Sequence, residues 1–151
     1  MSDYPQANAT LTSPVKSSDE VDRIDRSSDE SLSLAMTIAH AADSRQGGNI
    51  ILLDVGEVSY LADYFVVVTG FSRVQVRAIS QAIESEVSQV WQRSPLRVEG
   101  QTEGTWILQD YGDVIAHILM PEEREFYNLE AFWGHAKQIE LPTSDPERLT
   151  T

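Results

Sequence analysis

Residues 52–79 read LLDVGEVSYLADYFVVVTGFSRVQVRAI, and this stretch decides the fold. It begins inside a run from Asn49 to Val55 that is apolar almost throughout up to Asp54, and Asp63 to Thr69 is a second run of the same kind. Runs this short and this uniform predict strands buried on both faces, because a solvated face would alternate polar with apolar. Gly56-Glu57 marks a turn after the first. Gly70-Phe71-Ser72 ends the second, and Ser72 is placed to cap a helix in which Val76, Ile79, Ile83, Val87 and Val90 recur as one buried stripe. Arg73, Arg77, Gln81, Glu84 and Glu86 fill much of the remaining surface, and Pro95 blocks continuation.

Working outward towards the C-terminus, Leu96 to Glu99 is a short strand and Gly100 to Gly104 a polar turn. Trp106 to Asp110 and Asp113 to Met120 flank Tyr111-Gly112, the pattern of a tight antiparallel hairpin. Pro121-Glu122-Glu123 opens a last helix with proline and acids where a helix start favours them, and Leu129, Phe132, Trp133 and Ala136 supply its apolar face. Towards the N-terminus, Leu32, Ala35, Met36, Ala39 and Ala42 fall at helical spacing, with Ser31 or Asp29 as cap and Gly47-Gly48 as stop. Residues 1–30 are rich in Ser, Asp, Thr and Pro without a sustained period and read as a flexible acidic arm. Residues 31–141 read as the folded domain and 142–151 as a flexible tail. The order α-β-β-α-β-β-β-α predicts a single α/β domain, a mixed sheet of about five strands with flanking helices.

The composition narrows the partners. The chain of 151 residues carries a formal net charge of −13, which repels phosphate backbones and disfavours broad nucleic-acid binding while favouring a basic protein surface. Taken alone, the acidity is explained as well by simple solubility. No apolar run approaches the roughly 20 residues of a membrane helix, and MSDYPQANAT lacks the basic start and apolar stretch of a secretory signal. No cysteine is present, so disulfides, thiolate nucleophiles and cysteine metal sites are excluded. Cytoplasm is the expected compartment.

Several stretches in fixed order resemble the Iojap family, the ribosomal silencing factors. They are residues 52–79, VEG at 98–100, WILQDYGDVIAHIL at 106–119 and REFYNLEAFW at 124–133, within a resemblance that covers about Leu32 to Leu141. The family's Asp before the second strand is met by Asp63, its turn by Thr69, Gly70 and Ser72, its hairpin by Asp110, Tyr111, Gly112 and Asp113, and its strand histidine by His117. Tyr111 departs from relatives that carry an aliphatic residue there. The resemblance implies a nucleotidyltransferase-like sheet topology. It also implies binding to ribosomal protein fourteen of the large ribosomal subunit, which blocks small-subunit joining and represses translation. The contact surface it implies centres on the hairpin, at Trp106 and Tyr111 with nearby acids.

Each candidate has a plainer reading. A lone strand tryptophan is ordinarily core. However, the hairpin is expected to bring Trp106 and Tyr111 to the same end of the sheet, where two large amphipathic rings suit an interface anchor. Asp110 and Asp113 are turn residues that bond the local backbone; Asp113 reads as the more structural, Asp110 as the one presented to a partner. Ser72 reads as a helix cap rather than a phosphate cradle. Within a strand of the folded region no Asp-x-Asp or Asp-x-Glu pair provides a metal seat, and His40, His117 and His135 lack ligand spacing. His117 reads as a satisfied, partly buried strand histidine. Arg124, Tyr127 and Glu130 recur at three-residue spacing, which a helix-surface ion pair explains. The expectation is therefore a non-enzyme with no catalytic residue, metal or cofactor. The rivals are a nucleotidyltransferase-like enzyme and a homodimeric interaction module.

Overall fold

A computed structural model describes residues 18–57, 59, 62–132 and 136–141. The chain divides into two units, Met1–Glu30 and Ser31–Thr151. In the first, the backbone is helical from Ser18 onward, as part of helix α1, Ser18–Ser44. The helix thus begins thirteen residues before the expected start at Ser31. Ser31 is not its cap: the side chain is buried and donates towards Asp63 Oδ2 at 3.1 Å and Asp113 Oδ2 at 2.9 Å.

The second unit holds a six-stranded mixed sheet. Its elements are β1 Gly48–Asp54, β2 Tyr64–Thr69, α2 Arg73–Trp91, β3 Arg97–Glu99, β4 Trp106–Asp110, β5 Val114–Leu119, α3 Pro121–Tyr127, α4 Leu129–Phe132 and β6 Lys137–Glu140. The strand order is β3-β4-β5-β2-β1-β6. β2 lies against β5 in parallel, and the other neighbouring pairs are antiparallel. Every residue of β2 and β5 is buried, which is what the unbroken apolar run at Tyr64–Thr69 demands.

One sheet face is thickly covered. Leu34, Ile38 and Ala42 from α1 and Val76, Ile79, Ile83 and Val87 from α2 pack with Leu52, Val66, Val68, Val114, Ala116 and Ile118. Trp91 Nε1 donates to Thr37 Oγ1 at 3.1 Å, joining α2 to α1. Ser72 caps α2 by accepting from the Gln75 amide at 3.0 Å. Gln75 then reaches back to accept from the Phe71 amide at 2.7 Å and donates to the carbonyls of Arg45 and Gln46. The helix start is thereby tied to the turn that feeds β1.

The other face is built on Leu53, Val55, Phe65, Val67, Ile115 and Leu119, with Ile51, Trp106, Leu108, Leu129 and Ala136 only partly buried against it. Here the C-terminal segment departs from expectation. The single last helix is interrupted at Asn128, whose left-handed φ of 48° closes α3 and sends its amide back to the Arg124 carbonyl. Asparagine tolerates that conformation better than most residues. β6 follows and pairs with β1, from Ile51–Glu140 to Asp54–Lys137, so the sheet has one strand more than expected. Trp133, expected on the helix face, lies outside the described residues.

Candidate partner-docking face

β4 alternates strictly, with Ile107 and Gln109 buried and Trp106, Leu108 and Asp110 half-buried. Because side chains alternate along a strand, Trp106 and Leu108 belong to the thinly covered face. Tyr111, five residues on, belongs to the helix-covered face. A five-residue separation also spans about 17 Å of strand. The expectation that Trp106 and Tyr111 share one exposed tip is therefore corrected. Tyr111 is 2 % exposed, its hydroxyl donates to Gln109 Oε1 at 2.8 Å, and Gln109 in turn donates to Ser80. Burial, reinforced by the charge of Glu84, pushes the phenol well above its usual range. It is a core tyrosine.

The two aspartates are engaged at the hairpin. Asp110 Oδ1 accepts from the Gly112 amide at 2.8 Å, and Oδ2 stands 3.4 Å from Arg97. Asp113 accepts from Arg93 at 2.9 Å and from Ser31, while Arg93 also donates to the Tyr111 carbonyl at 2.6 Å. Burial acts to raise the Asp113 carboxyl, but the hydrogen bonds from Arg93 and Ser31 and the Arg93 charge outweigh it and hold it below the usual range. Asp113 is thus a structural clasp between α1, the segment after α2 and the hairpin.

Trp106 is the centre of a run of rings. Its Nε1–H donates to His117 Nδ1 at 3.2 Å, and the ring centroids lie 5.9 Å apart. His117 meets Phe65 edge-on at 4.9 Å. On the outer side Tyr127 lies 4.8 Å from Trp106, and Phe126 stands 4.9 Å from Tyr127. Burial lowers the His117 pKa to about 4, so the ring is neutral at ordinary pH. Accepting from Trp106 at Nδ1 leaves the proton on Nε2, which is buried without a partner. The reading of His117 as fully satisfied is corrected to that extent. Phe126 and Tyr127 are 80 % and 51 % exposed, and Trp106 also lines a groove of about 330 Å³ with Glu99, Gly100 and Leu108. Gly100 has φ +88°, and a Cβ there would overlap the Trp106 carbonyl oxygen; glycine fixes where β4 begins.

Phe126 carries no expected role from its sequence position, and Tyr127 only that of one step in the three-residue spacing of Arg124, Tyr127 and Glu130. The available signal was two adjacent aromatics among the polar residues of PEEREFYN, a helix with no buried residue. Arg124 and Glu130 do pair, but across the break from α3 to α4 and largely out of solvent, with Arg124 Nη1 also donating to Thr69 Oγ1 at 2.9 Å. Among the described residues, no three His, Cys, Asp or Glu side chains come together as a metal site, and no helix is long and apolar enough to cross a membrane.

These features define a class: a mixed-sheet α/β domain with one face under helices and the other left as a half-covered aromatic surface. The chain belongs to the ribosomal silencing factor family. The family model described as "Ribosomal silencing factor during starvation" matches residues 28–150. The chain is 36 % identical over 109 residues to ribosomal silencing factor RsfS of Bacillus subtilis, covering 72 % of this chain and 92 % of that one. It is 39 % identical over 115 residues to the chloroplastic protein Iojap of Zea mays, covering 75 % of this chain and 49 % of that one, so it spans about half the length of that relative. A mouse protein, mitochondrial assembly of ribosomal large subunit protein 1, is 29 % identical over 87 residues, covering 56 % of this chain and 38 % of that one. A crystal structure from Chromobacterium violaceum superposes with a TM-score of 0.64 at 29 % identity, covering 79 % of this chain and 97 % of that one.

Proposed function

We propose that this protein docks on the large ribosomal subunit through Trp106, Leu108, Tyr127 and Phe126, and that its bulk then keeps the small subunit from joining. The observation that carries the reading is an exposed aromatic cluster on a chain of net charge −13. Exposed aromatics supply interface anchors, and the acidic field favours a basic ribosomal protein over bare ribosomal RNA. By the family resemblance that partner is ribosomal protein fourteen, and the mouse relative's name points to the same subunit. Asp110, with Arg97 beside it, contributes to steering at the rim, while Asp113 and the buried Tyr111 serve the fold. The reading places the protein with cytoplasmic ribosomes and assigns it no catalysis or cofactor.

Sedimentation of a cell extract tests it. The protein should run with free large subunits and be scarce on joined ribosomes; equal loading on joined ribosomes, or recovery only near the top as a free dimer at low salt, would refute it. Trp106→Ala should weaken large-subunit binding by roughly 1–4 kcal/mol, the range of interface hot spots. Its effect on folding should stay below the roughly 3–5 kcal/mol of a truncated core tryptophan.

A further inference from the structure

The groove of about 330 Å³ that Trp106 shares with Glu99, Gly100 and Leu108 lies where β4 meets β3, the outermost strand on that side of the sheet. Register fixes which side chains stand over it. Glu99 lies opposite Leu108, and Arg97 opposite Asp110, across the antiparallel pair; directly opposed residues project from the same face. Trp106, Leu108 and Asp110 share that face by alternation, while Val98 packs with the helix-covered cluster. The groove therefore combines an indole and a leucine as apolar walls, bare backbone at Gly100 and one carboxylate, Glu99.

That carboxylate is held loosely. Arg97 Nε stands 3.4 Å from Glu99 Oε2, and Arg97 Nη2 stands 3.4 Å from Asp110 Oδ2; tight charge-assisted bonds are about 2.7–2.9 Å. The Arg97 and Glu99 side chains are 59 % and 58 % exposed, and exposed pairs of this kind contribute little to folding. Asp110 is the less available acid, with 20 % of its side chain exposed and Oδ1 already accepting from the Gly112 amide. Arg97 is thus a cation resting between two carboxylates without a strong hold on either. Glu99 can exchange it for another at little cost.

We propose, resting on the docking reading above, that this groove receives one basic side chain of the partner protein. Its aliphatic stem lies along Trp106 and Leu108, and its cation takes Glu99 in place of Arg97. Lysine and arginine share this build, an apolar stem with a charged head, and both are attracted to an aromatic face. An apolar side chain in the same groove would strip water from Glu99 and give it no partner. An acidic one would meet Glu99 and the field of a chain with net charge −13. Arg97 is then a resident competitor, and its removal strengthens docking.

The test is sedimentation of the full chain with purified large ribosomal subunits over a series of salt concentrations, with the folding of each variant checked by its melting temperature. Glu99→Gln should weaken binding about tenfold, the loss of one hydrogen bond to a charged group, and should flatten the salt dependence. Leu108→Ala should weaken binding with the salt dependence unchanged. Arg97→Gln should tighten binding about threefold, the scale of one exposed ion pair. Arg73→Gln, which removes an exposed charge at the start of α2 on the helix-covered side, should change it much less. The proposal is overturned if Glu99→Gln binds as wild type does, or if Arg97→Gln weakens binding or acts no more strongly than Arg73→Gln. Binding lost in Trp106→Ala but kept in Glu99→Gln overturns this assignment and leaves the docking reading standing. A wild-type chain that does not bind large subunits overturns both.

Discussion

Lowering the pH from 7 to 4.5 should destabilise this domain through His117. Burial lowers the folded pKa from 6.5 to about 4, and the groups around the ring offer no compensation. Trp106 donates to it, while Phe65, Leu108 and Val67 beside it carry no charge. Between these two pKa values the unfolded chain binds the proton and the folded chain does not, so stability falls as pH falls. The full difference of two to three units corresponds to about 3 kcal/mol, of which roughly 2 kcal/mol is lost by pH 4.5. Protonation at Nδ1 also sets an N–H against the Trp106 N–H, so Trp106 loses its tether in the same step. Urea unfolding at a series of pH values measures the loss. His117→Gln keeps a neutral acceptor without titrating and should flatten the dependence over this window. If His117→Gln loses as much stability between pH 6.5 and 4.5 as wild type, the buried neutral histidine is not the cause.

Tyr111→Phe should cost about 1 kcal/mol, the hydrogen bond to Gln109, whereas Tyr111→Ala should cost roughly 3–5 kcal/mol through the cavity it leaves; both are read from denaturant midpoints, and a Tyr111→Ala domain of unchanged stability would contradict its burial. Gly100→Ala should leave little folded protein by circular dichroism, since the new methyl meets the Trp106 carbonyl in a backbone conformation with φ +88°. Because the chain divides at Glu30 and Ser31, removal of residues 1–30 should barely move the melting temperature; a large drop would show that the two units support each other.

Much of the fold was legible because it rests on local patterns. The Tyr64–Thr69 run, the Ser72 cap and the stripe of Val76, Ile79, Ile83 and Val87 each follow from side-chain period and capping chemistry and stand in the structure, whereas Val90, expected in the same buried stripe, is 52 % exposed near the end of α2. The missed pieces depend on distant partners. β6 is four residues of mixed polarity, KQIE, that become a strand only because β1 offers an edge. The break at Asn128 depends on its backbone entering a left-handed turn, which the apolar spacing of Leu129, Phe132 and Ala136 disguised. Tyr111 follows directly on β4 and keeps its alternation, packing with the helix-covered cluster while Trp106 lies against the other face; a residue placed in a turn by its sequence gives no such parity.

That same parity explains why one hairpin serves both the core and the surface. A sheet with helices on one side has a second face that must be covered or used, since a large apolar patch left open invites association. Leu129 and Ala136 pack on part of that face, together with Ile51, Trp106 and Leu108. Tyr127 lies on Trp106 but remains half exposed. Trp106 is consequently held in place from within by His117 and from outside by Tyr127, yet keeps part of its ring in solvent. A ring fixed before contact loses little side-chain freedom on docking, which raises affinity without added area. The odd-numbered neighbours Ile107, Gln109 and Tyr111 keep the strand itself rigid by burying on the other side. If Trp106 is the docking anchor proposed above, its substitution on so stiff a strand should weaken binding without unfolding the domain, whereas substitution at Tyr111 should act on folding.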